Sequence, residues 1–583
     1  MNLIDIKNVT FQYPGAKSPS LRDVSLTIEE GDFIAIMGGN GSGKTTLSKL
    51  INGLIPHYYV GDIKGEVVVD GKKTMESQVT DFSEIVGYVY QDFENQLVQA
   101  KVIDDASYTP LNFGYTDYKE RGKQALERVN LVGKDNDYIW ELSGGQKHLL
   151  ALAGAISLEP NILIVDEPVA QLDPQHAEEF YDVLKKLNEE ENMTIIVIEH
   201  HTEFVAEYCK NVVLMDSGKV LWKKDVRDAL TRVQELKDKN IFPPQVTQAI
   251  SRLNAMDTQP LPIHLDEAVH YMESYEIPEV KPIYLQKPQS SLKSNQNVEK
   301  IAEIKEVEFS YKMITREKKK ILKSVTLDVY EGDRIALVGN NGAGKSTLMQ
   351  LMTGLQKPEK GSVKVKNLNT EDFPPEHFAD KVTYIYQNPE EMFIEDSIRN
   401  DIEFYLKARD ISNYSEKVDE IIEKFHLKEL QDRDGRLMSG GQQRRASLAI
   451  GVAMKPSLIL LDEPTANLDI ATRKYITQFI QTLKDEVEAV VIATHDMQLV
   501  AEWSNRIIVM KDGQIMHDGN RESVFSNEQL LKEAGLKSPQ ILELSRSLRT
   551  KLAYSVNEFV EYAQSIRERQ AIDGSYKEAT RLY

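Results

Sequence analysis

At 583 residues the chain has room for roughly three to five ordinary domains, or for fewer large ones, each with its own core. Hydrophobic residues make up 41% and charged residues 28%, a globular balance that excludes a disordered or membrane-spanning chain. Against 91 Asp and Glu there are 70 Lys and Arg, so the formal charge of −21 argues against general nucleic-acid binding, and the single cysteine, Cys209, excludes an internal disulfide, a cysteine zinc site or an iron–sulfur centre. One cysteine also points to a reducing compartment. The start, MNLIDIKNVTFQY, lacks the basic segment and apolar core of a signal peptide, and no run of 18 apolar residues occurs. Any membrane role is therefore expected to be peripheral.

In chain order, Ile6, Val9, Phe11 and Tyr13 come first, and they recur as Ile304, Val307, Phe309 and Tyr311. DFIAIMG (32–38) and its copy DRIALVG (333–339) are short apolar runs of the kind that form buried parallel strands. Each leads through a glycine-rich loop into a predicted helix, TTLSKLING or STLMQLMTG, that stops at Gly53 or Gly354. Strand, G-x-x-x-x-G-K-[ST] loop and helix together make a phosphate-binding loop. In the first copy it comprises Gly38, Gly39, Asn40, Gly41, Ser42, Gly43, Lys44, Thr45 and Thr46; in the second, Gly339, Asn340, Asn341, Gly342, Ala343, Gly344, Lys345, Ser346 and Thr347. Backbone N–H groups there turn toward a β-phosphate, Lys44 and Lys345 reach the β/γ oxygens, and Thr45 and Ser346 offer a hydroxyl to Mg²⁺. The helix N-terminus adds about half a positive charge facing the same phosphates.

ILIVDE (162–167) and LILLDE (458–463) are again buried-strand runs, each ending in two acids 23 residues past the Ser of an SGGQ sequence. The C-terminal edge of a parallel sheet is where α/β folds bind ligands. Asp166 and Asp462 are thus expected to orient a Mg²⁺ hydration shell, and Glu167 and Glu463 to polarise an attacking water. TIIVIEH (194–200) and AVVIATH (489–495) supply a further strand in each half, and His200 and His495 at their ends read as γ-phosphate sensors.

Across these motifs the offset between copies drifts only between 295 and 301, which means two copies of one domain differing by small loop changes. The similarity continues from IFPPQVTQAI (241–250) to LKSPQILELS (536–545), so each half is expected to carry its own C-terminal helical extension. The polar stretch 286–300 has linker composition. The predicted organisation is a first domain over 1–285, a linker over 286–300 and a second domain over 301–583. The basic run REKKK (316–320) reads as a solvated hairpin tip.

The order of these motifs resembles that of the ATP-binding cassette (ABC) ATPases over almost the whole chain. That resemblance implies an α/β fold: two P-loop NTPase (RecA-like) domains, each with an antiparallel β subdomain and a helical signature subdomain. It implies that Tyr13 and Tyr311 stack on adenine, and that Gln91 and Gln387 are the Q-loop residues that, with Thr45, Asp166, Ser346 and Asp462, attend the metal. Ser143, Gly144, Gly145 and Gln146 form one signature motif, Ser439, Gly440, Gly441 and Gln442 the other, and AQLD (170–173) and ANLD (466–469) are the D-loops. In the family each signature reaches the nucleotide held by the opposite half, which implies intramolecular pairing of the halves, hydrolysis at both sites, and ATP and Mg²⁺ as cofactors.

YQDFENQLV (90–98), YQNPEEMF (386–393), NFG (112–114), EHH (199–201) and the tail KEAGLKSPQ (532–540) resemble the paired ATPases of energy-coupling factor (ECF) vitamin and metal importers, in their fused form. The partners so implied are a transmembrane coupling subunit and a small substrate-binding membrane subunit, with the ATPase on the cytoplasmic face of the membrane. This chain departs from that pattern in four places: Asp92-Phe93 replaces Asn-Pro, Met392 replaces a second Gln, Val169 replaces Thr or Ser, and SGGQKHLL lacks the Gln-Arg pair. The rival classes are a ribosome-associated tandem ATPase, which carries a long charged linker; a sugar-importer ATPase, whose second half has altered motifs; a DNA-repair cassette, which needs zinc cysteines; and a regulatory ATPase.

Overall fold

The computed structural model describes residues 2–169, 172–253, 260–273, 298–312, 318–408, 412–466, 468, 470–483 and 486–567. Most of the 286–300 linker and parts of both D-loops lie outside these residues. The chain forms two compact units, Met1–Val280 with Gln540–Tyr583, and Lys281–Pro539.

In the first unit, β1 (Asn2–Gln12), β2 (Leu21–Glu29), β3 (Phe33–Met37), β4 (Asp62–Val69), β5 (Lys72–Lys73), β6 (Val86–Val89), β7 (Ile162–Asp166), β8 (Thr194–Ile198), β9 (Asn211–Asp216) and β10 (Lys219–Asp225) build two sheets. An antiparallel sheet has the order β2-β1-β4-β5, and a six-stranded sheet the order β10-β9-β3-β8-β7-β6. In the latter, β3 runs parallel to β8 and β9, β7 runs parallel to β6 and β8, and only the edge strand β10 is antiparallel. The runs FIAIM, ILIVD and TIIVI are buried at every position because both faces of the sheet are covered, one by helices Gly144–Ile156 and Pro174–Glu191 and the other by helix Lys44–Ile51 and the antiparallel sheet.

The second unit repeats the plan. Its strands are β11 (Lys300–Lys312), β12 (Lys318–Tyr330), β13 (Arg334–Val338), β14 (Lys360–Val365), β15 (Leu368–Asn369), β16 (Val382–Ile385), β17 (Leu458–Asp462), β18 (Ala489–Ala493), β19 (Arg506–Lys511) and β20 (Gln514–Gly519). The sheet orders are β12-β11-β14-β15 and β16-β17-β18-β13-β19-β20. Lys318 to Lys320 begin β12, where Lys318 pairs with Glu359 and Lys320 with Glu308. The described part of the basic run is thus engaged locally, and 316–317 lie outside the described residues.

One assignment differs from the sequence reading. Residues 540–567, counted above with the second domain, fall in the first unit. The reason is apolar complementarity: Val246, Ala249, Ile250 and Leu253 of helix Gln245–Leu253, with Ala268 and Met272 of helix Leu265–Glu273, form one buried cluster with Ile541, Leu544, Phe559 and Ala563. Two glutamines lock it reciprocally. The Gln245 side chain accepts from the Ile541 amide at 2.9 Å, and the Gln540 side chain accepts from the Val246 amide at 3.1 Å. Pro244-Gln245 and Pro539-Gln540 are the repeated dipeptide of the sequence similarity, so each copy caps the other's helix.

Candidate functional site

Each phosphate-loop helix starts directly after a glycine in the left-handed region: Gly43 (φ 101°) before helix Lys44–Ile51 and Gly344 (φ 98°) before helix Lys345–Met352. A Cβ on Gly43 would lie 2.8 Å from the Ser20 carbonyl, so both conformation and space call for glycine there. Both helices end at the expected glycines, Gly53 (φ 73°) and Gly354 (φ 74°). The buried Lys44 donates from Nζ to the carbonyls of Gly38 (2.8 Å) and Gly39 (3.2 Å), and Lys345 to those of Gly339 (2.6 Å) and Asn340 (3.2 Å). Each lysine is thereby held in the crook of its own loop. Tyr13 is half-buried with its hydroxyl 3.4 Å from Thr46 Oγ1, whereas Tyr311 is more exposed and donates to Gln350 at 3.3 Å.

The acidic pairs stand at the C-terminal ends of β7 and β17, with Asp166, Asp462 and Glu463 buried. Glu167 (φ 50°) and Glu463 (φ 44°) both adopt the left-handed conformation, which costs a non-glycine residue on the order of 1 kcal/mol. The neighbouring strand imposes it, because Glu167 N donates to Ile198 O and Glu463 N to Ala493 O, each at 2.9 Å. The turn swings each carboxylate toward the histidine at the end of β8 or β18. His200 Nε2 lies 3.1 Å from Glu167 Oε1, and His495 Nδ1 lies 3.0 Å from Glu463 Oε1. Gln91 Nε2 also donates to Glu167 Oε2 at 2.6 Å. In each unit the phosphate loop, acidic pair and histidine therefore meet at one edge of the sheet.

Electrostatics separates the members of each pair. Burial pushes the Asp166 carboxyl up to about 6, with the Glu167 charge adding to it, and burial raises Asp462 as well. For Glu463 burial acts in the same sense, but the charge and hydrogen bond of His495 and the charge of Lys345 outweigh it, and the carboxyl is lowered. The same pairing raises His495 against its own burial.

Two tyrosines were not foreseen. Tyr88 donates to Asp166 Oδ2 at 3.2 Å and Tyr384 to Asp462 Oδ2 at 2.5 Å. Their signal lay in plain view, a tyrosine three residues before both Gln91 and Gln387. Also unforeseen was the role of Glu199. It is fully buried and accepts from the His200 and His201 amides, from His201 Nδ1 and from the Tyr181 hydroxyl, while Thr494 occupies the matching place in the second unit.

The donor set suits Mg²⁺, which takes few protein oxygens and keeps water and phosphate for the rest. Ser346 is hydrogen-bonded to Asp462, so hydroxyl and carboxylate already share one locus. Protons and Mg²⁺ compete for such a carboxylate. With Asp166 titrating about pH 6, half of it is already protonated there, so the Mg²⁺ affinity of the ATP-bound protein is expected to fall by about fivefold from pH 6 to pH 5, relative to ATP in free solution. An Asp166→Asn variant should lose this step at its own site. A wild-type titration flat over that range contradicts the assignment.

Ser143 caps the signature helix Gly144–Ile156, its side chain accepting from the Gln146 amide at 3.2 Å while Gln146 Oε1 accepts from Ser143 N at 3.0 Å. Ser439 and Gln442 repeat this reciprocal cap on helix Gly440–Ala453. Gly145 and Gly441 have no room for a Cβ, which would meet His176 at 2.4 Å and Thr472 at 2.8 Å. In each unit the amides of the signature turn are thus presented at a bare, capped helix end.

A family model described as "ABC transporter" matches residues 21–170 and 322–466. Among curated proteins, a putative ABC transporter ATP-binding protein of Caldanaerobacter subterraneus subsp. tengcongensis is 33% identical over 96% of this chain and 98% of its own. A protein of the same description from Methanosarcina mazei is 31% identical over 94% of each. A solved structure described as cbiO1 from Clostridium perfringens, part of the ABC transporter complex cbiONQ, is 29% identical and covers 43% of this chain and 99% of its own, with a TM-score of 0.38. From the repeated cassette geometry, the family model and the curated relatives, the chain belongs to the ABC transporter family as a tandem ABC ATPase, whose domains bind and hydrolyse ATP with Mg²⁺.

Proposed function

We propose that this protein is the energy-coupling ATPase of an ECF-type importer, working at the cytoplasmic face of the membrane through separate transmembrane coupling and substrate-binding subunits. The cargo in this reading is a vitamin, a vitamin precursor or a metal ion. The observation that carries it is an apolar surface repeated in register just beyond both Q-loops. Val98 is 57% exposed and its counterpart Ile394 55%; Tyr108 and Phe404 are exposed at the next matching position. Leu111 and Trp140 are also exposed in the first unit and Leu437 in the second. Apolar side chains held out at equivalent places in two cassettes are the mark of a surface that meets another protein. Among the described residues no helix is long and apolar enough to cross a membrane, so in this reading the spanning part is supplied by partners.

Within each cassette, Mg²⁺ would be held by Thr45, Asp166 and Gln91, or by Ser346, Asp462 and Gln387, and would neutralise phosphate charge. Lys44 and Lys345 bind the β/γ oxygens, Glu167 and Glu463 take a proton from the attacking water, and His200 and His495 hold those glutamates and sense the γ-phosphate. The test is to purify the tagged chain from gently solubilised membranes of its own host and identify what accompanies it. Recovery of a polytopic coupling protein with a small membrane protein is expected; recovery of ribosomes, or of no membrane protein, overturns the importer reading and leaves the ATPase standing.

A further inference from the structure

The two Q-loops are braced by different devices, at positions where the two halves have exchanged residues. In the first unit Gln96 braces the loop from within: its Oε1 accepts from the Tyr90 amide at 2.8 Å and its Nε2 donates to Tyr88 O at 3.0 Å. The matching residue in the second unit is Met392, whose thioether offers neither donor nor strong acceptor. There the brace comes from the signature helix. Arg444 is 2% exposed, and it donates from Nη1 to Tyr386 O at 2.8 Å and from Nη2 to Gln387 O at 2.5 Å. In turn, the residue matching Arg444 in the first unit is His148, buried between the rings of Phe93 (4.3 Å) and Phe180 (4.2 Å) with no partner for Nδ1 among the described residues. Burial pushes its imidazole down to about 3, so it is neutral and reaches no loop carbonyl in the way Arg444 does.

We infer that Gln96 and Arg444 are positioning residues that do the same work by different routes: the first Q-loop is held by its own side chain, and the second is fastened directly to its signature helix. The signature helix of the first unit touches the loop region through the His148–Phe93 stack at 4.3 Å and the Lys147–Glu94 ion pair at 2.8 Å, but neither bonds a backbone carbonyl of the loop. Arg444 instead forks two backbone carbonyls from a buried position, and the planar guanidinium fits such a bidentate task. Motion of the signature helix is therefore passed to Gln387 as a unit, whereas Gln91 can rearrange while its helix stays in place. The two cassettes differ in how the Q-loop responds, not in whether their catalytic groups are present.

The inference rests on the ATPase reading of Gln91 and Gln387 and is independent of the membrane partners. Hydrogen exchange of the full chain without nucleotide tests it, following peptides over 86–97 and 382–393. Gln96→Met, which installs the residue that the second unit has, should speed exchange of the first loop by about tenfold and leave the second unchanged. Arg444→Met should do the reverse. Rescue is the stricter readout: in a Gln96→Met/His148→Arg double variant the flat guanidinium replaces the flat imidazole between the two phenylalanines and reaches the loop, returning its exchange to within about twofold of wild type. If Arg444→Met unfolds its unit, seen as fast exchange through β17 and β18, the first-unit pair decides alone. Unchanged exchange in the loop of either folded variant, both loops loosening together, or no rescue overturns the proposal. ATP turnover unchanged in a Gln91→Ala/Gln387→Ala double variant would instead overturn the ATPase reading of these residues while the exchange results stand.

Discussion

Glu463→Gln lowers ATP turnover at its site by roughly 10²-fold or more, the usual scale for loss of a general base. The carboxylate is buried at the end of β17, turned by its bond to Ala493 and faced by His495 at 3.0 Å. Burial alone would protonate it more readily, yet His495 and Lys345 keep its pKa low, so it is an ionised base at neutral pH. Gln has the same size and fits the same turn, so the cassette folds and binds ATP and only the proton acceptor is lost. Glu167→Gln acts in the same way on the first site, where Glu167 is held by both Gln91 and His200. Steady-state phosphate release checks both. Turnover unaffected by one of these variants means that its site is not hydrolytic.

The second large effect falls on binding. Lys44→Ala and Lys345→Ala each weaken ATP at their own site by roughly 10²-fold, because a charge-assisted hydrogen bond to phosphate is lost from a buried position. Each lysine already lies inside its loop on two carbonyls, so the loop is preshaped around the ammonium group. Calorimetric titration should find half the high-affinity ATP sites in either single variant and none in the double variant. Full stoichiometry in a single variant contradicts the assignment of that loop.

Strands and loops were legible in the sequence for a simple reason. FIAIM, ILIVD and TIIVI are buried on both faces, so apolar runs alone betray them, and Gly41, Gly43, Gly342 and Gly344 of the phosphate loops stand where φ is positive. Asp166, Glu167 and His200 could be placed together because all sit at the ends of adjacent parallel strands, β7 and β8. What could not be read was which apolar faces meet. The similarity of 241–250 to 536–545 correctly paired Gln245 with Gln540, but similarity carries no information on docking, and the two segments cap each other inside the first unit. Hydrogen bonds across the fold were equally silent. Met392 and His148 looked like separate departures from a family pattern; only the bonds of Gln96 and Arg444 show that they belong to one exchange.

The most direct measurement is a pre-steady-state quench, counting ADP formed per chain in the burst when nucleotide-free protein is mixed with excess ATP and Mg²⁺. The account predicts two ADP per wild-type chain in the first turnover, one in Glu167→Gln and one in Glu463→Gln, as expected for two complete cassettes. One ADP or fewer from the wild type would contradict it, showing that the repeated geometry holds a single working site.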